Sequence, residues 1–541
     1  MIVKMQHLDL VCLRSDKEKV LEALRALGAM HLDLGAMEGE AITTAKNELA
    51  DAERMIRLIE KARGKEKDWD ERERSVEQLL VLEKDEVTLK AELDRLEREI
   101  RYFEPFGDFD PVLAAKVRDD LERKGLTSEL AALNLPSRLP EMRLSRLQEK
   151  LARVKNRLAI DEDKFANSSA RFILKQYPGL KDRLAFEQAK ELMGTAGELC
   201  FVSGWLPKTM DLPSLKSTLP GTAVLLREPA AGEVPPTLVE PPKAFKAMKA
   251  LFSGLGIAPA YTEGDVSVPF MCYFTLFFAM LVGDGAYGAI FLLGTLAMRK
   301  KLPKAWFTLL AVFSGATILW GLLSNTWFGA NIPWCADWPT VKWLADPSYH
   351  NMMLLCFTIG VSHLMLARIW NGVLLINTWD CLPEFGWAGV LFFMYLVTNA
   401  VVGIFSGIPV WSYYVLGASL ALIVSRTRGA SLGMLPLNVM STLGDIISYV
   451  RLFAVGLASV KVAENFNSMA IGLVSGDKAW WLKAALSLGL VAILLIGHAL
   501  NLAMAGLSIL VHAVRLNTLE FSNHKGVSWS GYAYKAFKKN Q

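Results

Sequence analysis

Helix-length apolar segments fill the second half of this 541-residue chain, and they restrict its fold more than any other feature. Seven segments are visible, at residues 268–298, 305–329, 350–376, 386–408, 410–425, 432–472 and 480–521. About 20 apolar residues suffice for a helix to span a bilayer. We therefore predict an α-helical polytopic membrane domain over residues 244–541, ending in a short C-terminal tail.

The basic residues decide how these segments are counted, because cytosolic loops carry an excess of Lys and Arg. Four of them follow the first segment directly: Arg299, Lys300, Lys301 and Lys304. A single crossing from a cytosolic N-terminus would place this cluster outside. A hairpin that bends near Gly283, Asp284 and Gly285 returns it to the cytosol. We predict about eight transmembrane helices, with seven as the alternative count, and both termini cytoplasmic. The first ten residues show no cleavable-signal pattern.

The N-terminal half predicts a cytosolic arm over residues 1–243. The pattern indicates a strand at 2–13, a helix at Ser15–Leu27 with Ser15 as its N-cap, a strand at Ala29–Leu34, and a strand, turn, short helix and strand within 199–227. Residues 1–36 and 199–230 would together form one α/β lobe.

Two leucine-rich seams lie between the halves of this lobe. Their members are Leu79, Leu82, Leu89, Leu93, Leu96 and Ile100, interrupted at Glu86, and then Leu144, Leu147, Leu151, Val154 and Leu158. Alternating steps of three and four residues are typical of coiled coils. We predict an antiparallel coiled coil of residues 37–100 and 141–175, with a Pro- and Gly-rich distal tip at 101–140. The Pro-rich run 233–242 would link the arm to the membrane.

Composition excludes some functions. The net charge of +4 averages a highly charged half and an apolar half, and it does not indicate nucleic-acid binding. The chain lacks a Walker-type phosphate loop and a dinucleotide fingerprint, so we expect no ATP hydrolysis by this chain and no cofactor.

Arg451 lies within the apolar stretch Ser441–Ala463. A guanidinium stays charged in proteins, and its insertion at a bilayer centre costs about 2.5 to 3.5 kcal/mol. Ionisable residues inside membranes usually mark ion pathways. A second arginine, Arg515, lies in the last apolar segment, so both residues are candidates for ion translocation.

Polar residues recur at helical spacing around both arginines. One set is Ser441, Asp445, Ser448, Arg451 and Ser459; the other is His498, Asn501, Ala505, Ser508, His512 and Arg515. Each set predicts one polar stripe on a helix. The alternative for the serines is helix packing, which small polar residues favour in membranes. Asp284, between two glycines, either caps a turn or belongs to the pathway.

Five motifs resemble the membrane subunit of rotary V-type and A-type ATPases, known as subunit I in prokaryotes and subunit a in eukaryotes. They are GDIISYVRLFAVGLA (444–458), HAVRLNTLEF (512–521), FFAMLVGDGAYG (277–288), PPTLVEPP (235–242) and VSGWLPK (202–208). The resemblance covers the whole chain. It implies a cytosolic arm, eight transmembrane helices in the cell membrane, and a final helix pair beside a rotating ring.

By position, Arg451 matches the family's indispensable arginine facing the ring carboxylates, and Arg515 matches the second arginine. His512 and Asp284 match polar positions of the ion half-channels. The implied partners are a rotor ring of proteolipid c/K subunits, peripheral-stalk E/G-type subunits, a central-stalk d/C-type subunit and membrane lipid.

The chain also departs from the family's pattern. Ser459 stands where eukaryotic members carry histidine, and Ala505 stands where they carry glutamate. His498, Glu464 or Glu520 are candidates to replace these proton-accepting groups. The alternatives to a conducting stator subunit are a secondary transporter and a non-conducting tether. An Arg451 guanidinium that points into lipid, or that is locked to a buried acid of its own chain remote from any ring, would overturn the conducting role. The ion, H⁺ or Na⁺, stays open.

Overall fold

A computed structural model describes the chain except for residues 1, 35–37, 64–70, 127–134, 211–214, 216–218, 220, 231, 429, 476–479 and 540–541. The chain divides into two compact units. The arm unit comprises Gln6–Glu228 with Lys535–Gln541, and the helix-bundle unit comprises Met1–Met5 with Pro229–Tyr534.

The lobe of the arm unit is a four-stranded sheet with one helix that follows the first strand in the chain. Its elements are β1 (Met5–Leu13), α1 (Lys17–Leu27), β2 (Gly194–Ala196), β3 (Leu199–Pro207) and β4 (Ala223–Arg227), and the strand order is β2-β3-β1-β4. Alternate residues of β1, namely Leu8, Leu10 and Cys12, are buried, as the period of a half-buried strand requires. They share a core with Leu21 and Leu24 of α1.

Two details of the predicted lobe are wrong. Ser15 does not cap α1, because a 3₁₀ turn at Arg14–Asp16 precedes the helix and places Asp16 at the N-cap position. Residues 29–34 form only an isolated bridge between His31 and Trp205. The neighbouring carbonyl of Met30 accepts from the backbone N–H of Phe537, so the C-terminal residues take up hydrogen bonds that a strand would need. The predicted short helix within 199–227 lies largely outside the described residues.

Long helices form the rest of the arm unit. They are α2 (Glu40–Arg63), α3 (Val76–Phe103), α4 (Pro111–Arg123), α5 (Leu144–Ala166) and α6 (Ala170–Leu192). Ser75 and Gln78 form a capping box at the start of α3. Asp110 caps α4 by accepting from two backbone N–H groups. The predicted distal tip therefore contains a helix, α4, whereas its described residues 135–140 are not helical.

The predicted seams of α3 and α5 pack against each other. Leu89, Leu96, Leu147 and Val154 belong to one buried cluster, while Leu79 belongs to a second cluster with residues of α2 and α6. The two clusters separate near Glu86, where the heptad pattern is interrupted. Supercoiling of this helix pair stays a prediction.

Helices dominate the helix-bundle unit. They are α7 (Met248–Leu255), α8 (Ser267–Val282), α9 (Gly285–Ala297), α10 (Lys304–Ser324), α11 (Pro339–Leu344), α12 (His350–Leu374), α13 (Cys381–Val401), α14 (Val410–Val424), α15 (Leu435–Ile447), α16 (Val450–Val474) and α17 (Trp480–Ser508). Among the described residues, five helices are long and apolar enough to cross a membrane: α10, α12, α13, Leu435–Val474 and Ala485–Lys525.

A sharp break separates α8 from α9 at the place where the sequence predicts a bend. The two helices differ in direction by 118° and would together count as a sixth span or as a re-entrant loop. Gly283 ends α8 with φ +70°, a backbone conformation that a side chain disfavours. Asp284 then caps α9. The α14 helix is apolar but shorter.

The last helix changes its winding before it ends. Ile509–Ala513 and Leu516–Phe521 are π-helical, with Arg515 at the N-cap of the second stretch. Wider turns shift the buried face along the helix. Within the predicted stripe Asn501 and Ala505 are buried, whereas Arg515, which follows the first π-helical stretch, is half exposed.

Candidate functional site

Arg451 and Arg515 meet at a single carboxylate. The Arg451 Nη1 atom lies 3.3 Å from Glu520 Oε1, and Arg515 Nε lies 3.5 Å from the same oxygen. The Glu520 side chain is 7% exposed, against 27% for Arg451 and 53% for Arg515. Two guanidiniums share one carboxylate, so one positive charge is left uncompensated within this group.

A guanidinium locked to a buried acid of its own chain would count against a conducting role. The contact between Arg451 and Glu520 meets this condition only in part. Glu520 is a buried acid of the same chain, yet it is divided between two arginines at long distances. Its second oxygen, Oε2, is buried and has no hydrogen-bond partner among the described residues. Both arginines therefore contact Glu520 through the same oxygen, Oε1, and the group carries one positive charge in excess.

A second polar group links α9, α16 and α17. The Tyr287 hydroxyl oxygen, Oη, lies 2.7 Å from His498 Nδ1, and His498 Nε2 lies 3.2 Å from Asn467 Oδ1. Asn501 Nδ2 donates to Tyr287 Oη at 3.0 Å, and Ser459 Oγ donates to Asn501 Oδ1 at 3.1 Å. We call these five residues the Tyr287 chain. Sequence reasoning selected His498, Asn501 and Ser459, and the structure brings them together.

Asp284 holds the start of α9 and thereby positions Tyr287. Its Oδ1 accepts from the backbone N–H groups of Ala286 and Tyr287, and its Oδ2 accepts from Gly329 N at 2.9 Å. The carboxylate is 1% exposed. Of the two alternatives for Asp284, these contacts favour the cap.

A third polar group, the Asp445 network, connects α12, α13, α15 and the end of the chain's last long helix. His524 Nε2 lies 3.0 Å from Asp445 Oδ2, while Arg368 Nε donates to His524 Nδ1 at 3.1 Å. Arg368 also pairs with Glu384 at 3.2 Å. A guanidinium only donates, so His524 Nδ1 must accept and its proton resides on Nε2, facing Asp445.

The Tyr287 chain and the Asp445 network flank Arg451 on opposite sides along the helix. Asp445 precedes Arg451 by six residues and Ser459 follows it by eight. At 1.5 Å per residue the axial separations are about 9 Å and about 12 Å. One charged group thus separates two polar groups.

Four of the residues that the sequence predicted for the ion pathway are not members of these hydrogen-bonded groups: Ser448, Glu464, Ser508 and His512. Ser448 Oγ donates to the carbonyl of Asp445, a bond within the helix. Glu464 pairs with Lys461 at 2.7 Å in a surface ion pair. His512 lies in the first π-helical stretch and Ser508 directly precedes it.

Sequence reasoning missed several members of these groups. Tyr287 lies in the FFAMLVGDGAYG motif, but nothing in a linear motif indicates a bond to His498. His524, Arg368 and Glu384 were missed as site residues as well. The one available signal was His524 following Glu520 at the spacing of one helical turn. Over the described part of the chain, no group of His, Cys, Asp and Glu is arranged to hold a metal ion.

The fold and these polar groups define a class: a helical membrane protein with a separate α/β and helical unit and buried charges among its apolar helices. No family model matches the chain.

Comparison with curated proteins is more specific. "V-type ATP synthase subunit I 1" of Treponema pallidum is 28% identical and is matched over 100% of both chains. "V-type ATP synthase subunit I" of Borreliella burgdorferi is 32% identical over 65% of this chain and 62% of its own length, somewhat less than two thirds of that relative. "A-type ATP synthase subunit I" of Methanocaldococcus jannaschii is 24% identical over 84% of this chain and 69% of its own. All three relatives are named subunit I of a V-type or A-type ATP synthase, and this chain is similar to them.

Proposed function

We propose that this chain is the stator membrane subunit of a rotary V/A-type ATPase. In this role it provides two ion half-channels and sets Arg451 against the carboxylates of a rotor ring. It couples ion translocation to ATP hydrolysis or synthesis, which take place on other subunits. The observation that carries the proposal is the arginine pair, which shares one carboxylate and keeps one charge uncompensated, between two separate polar groups.

Electrostatics explains what Arg451 does in such a motor. A ring carboxylate that crosses lipid must be neutral, because an ionised carboxylate is too costly there. Next to a guanidinium the ionised form is favoured, so the carboxylate releases its ion. Arginine suits this task because it keeps its charge when desolvated, whereas lysine can lose its proton.

The two polar groups supply candidate half-channels. The Asp445 network would connect the ring site to the cytoplasmic side, since it includes His524 beside Lys525, at the predicted cytoplasmic end of the last helix. The Tyr287 chain would connect it to the opposite side. Their axial offset from Arg451 supports a path on which an ion cannot pass directly from one group to the other. Each ion then travels on the ring and contributes about 2.3 kcal/mol per 100 mV of membrane potential.

In this proposal the apolar helices span the cell membrane eight times, counting α8 and α9 as two short arms of a hairpin, with both termini cytoplasmic. Residues 1–243 form the cytosolic arm, in which α3 and α5 act as an antiparallel coiled coil. Peripheral-stalk E/G-type subunits bind this arm, and the d/C-type subunit of the central stalk lies between the ring and the motor.

Substitution of Arg451 tests the conducting role. We expect Arg451→Ala and Arg451→Lys to abolish ATP-driven ion transport by the assembled complex in vesicles, because neither side chain provides a permanent charge there. Arg515→Ala should cause a weaker but clear loss, since Arg515 is more exposed and shares Glu520. Complex assembly, measured by co-purification of the partner subunits, is the control. Normal transport with Arg451→Ala would refute the conducting role and would support the alternative, a non-conducting tether.

A further inference from the structure

A histidine of α12, His363, is enclosed at a place where three other parts of the helix-bundle unit meet. Its side chain is 0% exposed, and its ring stacks between the rings of Tyr273, at a centroid distance of 4.1 Å, and Phe521, at 4.5 Å. Its Nδ1 atom lies 2.8 Å from the hydroxyl oxygen of Tyr449. His363 therefore contacts α8, the turn between α15 and α16, and the end of the second π-helical stretch.

Tyr449 also fits closely against the backbone of α12. A Cβ atom on Gly360 would lie only 2.6 Å from Tyr449 Cγ, so any larger residue at position 360 would displace the tyrosine ring. The ring itself is 0% exposed. Its position is thus fixed on one side by the helix backbone at Gly360 and at its hydroxyl by His363.

The backbone departs from the regular α-helix on both sides of the contact between Arg451 and Glu520. The backbone N–H groups of Tyr449 and Arg451 donate to the carbonyl three residues earlier instead of four. Glu520 and Phe521 lie in the second π-helical stretch, which has wider turns. Tighter and wider turns change the direction of the side chains that follow them. The packing of nearby side chains must therefore decide where Arg451 and Glu520 point.

Packing alone does not explain why this position holds a histidine. The Nε2 atom of His363 is buried and has no hydrogen-bond partner among the described residues. A buried polar atom without a partner lowers stability. Phenylalanine would fill the space between the two stacked rings without that cost. The contact that phenylalanine could not make is the hydrogen bond to Tyr449.

Resting on the proposed function, we propose that His363 is a positioning residue for the contact between Arg451 and Glu520. Tyr449 precedes Arg451 by two residues, and Phe521 follows Glu520 directly. His363 holds both of these neighbours, Tyr449 by a hydrogen bond and Phe521 by stacking. It thereby fixes the separation at which the guanidinium meets Glu520, and with it the direction from which a ring carboxylate can reach Arg451. His363 itself carries no ion in this role.

The first test measures ATP-driven ion transport by the complete complex in vesicles. Tyr449→Phe removes only the hydroxyl, and transport should be about tenfold slower, the upper end of the effect of losing one hydrogen bond. Tyr395→Phe is the matched control and should transport normally, because its hydroxyl also contacts α12, 2.9 Å from that of Thr358, but lies outside this cluster. Full transport with Tyr449→Phe would overturn the proposal.

Two replacements of His363 separate positioning from packing. His363→Asn can place an amide oxygen near the position of Nδ1, whereas His363→Gln places its amide near that of Nε2, where no partner lies. Glutamine is closer in size to histidine, so a merely structural role predicts that His363→Gln transports at least as well as His363→Asn. Positioning through Tyr449 predicts the opposite order. This pair also decides the matter should Tyr449→Phe fail to assemble.

A cross-linking assay measures the positions of the two residues without any transport. Arg451→Cys and Glu520→Cys are combined in a full chain whose own cysteines are replaced by alanine, and a bifunctional thiol reagent joins them. His363→Phe should slow this joining severalfold, because Tyr449 is released, whereas Tyr395→Phe should leave it unchanged. An unchanged rate with His363→Phe would refute the positioning role.

These outcomes are distinct from those of the proposed function. Any of the three contrary results would overturn the role of His363, while loss of transport with Arg451→Ala would leave the stator role standing. Transport that survives Arg451→Ala would instead refute the stator role. The cross-linking rate would then still decide whether His363 positions residues 451 and 520.

Discussion

Replacing Glu520 with glutamine removes the acid that Arg451 and Arg515 share. In the proposed motor, a ring carboxylate must displace Glu520 from Arg451 to bind and must be displaced again to leave. The exchange replaces one carboxylate with another, so its free-energy change is small. Glu520→Gln takes away the competitor, and the ring carboxylate is then held more tightly.

The magnitude follows from the geometry. Unit charges separated by the observed 3.3 Å attract by about 5 kcal/mol at an effective dielectric constant of about 20. Arg451 is 27% exposed and therefore partly screened by solvent. We take about 2 kcal/mol as the part that acts on the ring carboxylate. That free energy slows its release about 30-fold.

The assay compares ATP hydrolysis and ion transport by the coupled complex in vesicles. Both rates should fall by the same factor with Glu520→Gln, while ATP hydrolysis by the detached soluble motor is unchanged. Asp380→Asn is the control, since Asp380 and Arg426 form an ion pair that is 61% and 44% exposed. Unchanged rates would refute the competition between carboxylates. Fast hydrolysis without transport would refute it too, because it would mean that Glu520 prevents leakage instead.

Three further predictions concern topology and the arm unit. Lys300→Cys should react with a membrane-impermeant thiol reagent only from the cytosolic side if α8 and α9 form a hairpin; labelling only from outside would exclude it. Phe537→Ala should destabilise the lobe by about 3 to 5 kcal/mol, since Phe537 is 6% exposed within its core. Hydrogen exchange of β1 amides should then be more than about 100-fold faster, and an unchanged rate would argue against this packing. Hydrogen bonds from Arg143 and from the cap N–H groups hold the pKa of Asp110 below its usual value. Its stabilising effect is therefore complete at neutral pH and lost as acidification passes this lowered pKa, so Asp110→Asn should weaken the acid sensitivity of α4, followed by circular dichroism.

The sequence pattern predicted the structure correctly wherever a single short-range property of the residues determines it. The apolar segments correspond to α10, α12, α13 and the two longest spans because a membrane helix satisfies its own backbone hydrogen bonds. The bend at Gly283 was visible because glycine permits a positive φ. Residues 29–34 were misread as a strand because their hydrogen bonds depend on Phe537, which is distant in the chain.

By itself, the sequence determined that two arginines lie within apolar helical segments and that long helices with heptad-spaced leucines accompany them. Charge, apolarity and heptad spacing are properties of the individual residues and of their positions in the chain. Only the tertiary structure decided which groups meet those charges. The pairing of Arg451 with Glu520 and the bond from Tyr287 to His498 join residues 69 and 211 positions apart. Contacts over such separations depend on how helices pack and where π-helical turns rotate a side chain, and no local spacing specifies either.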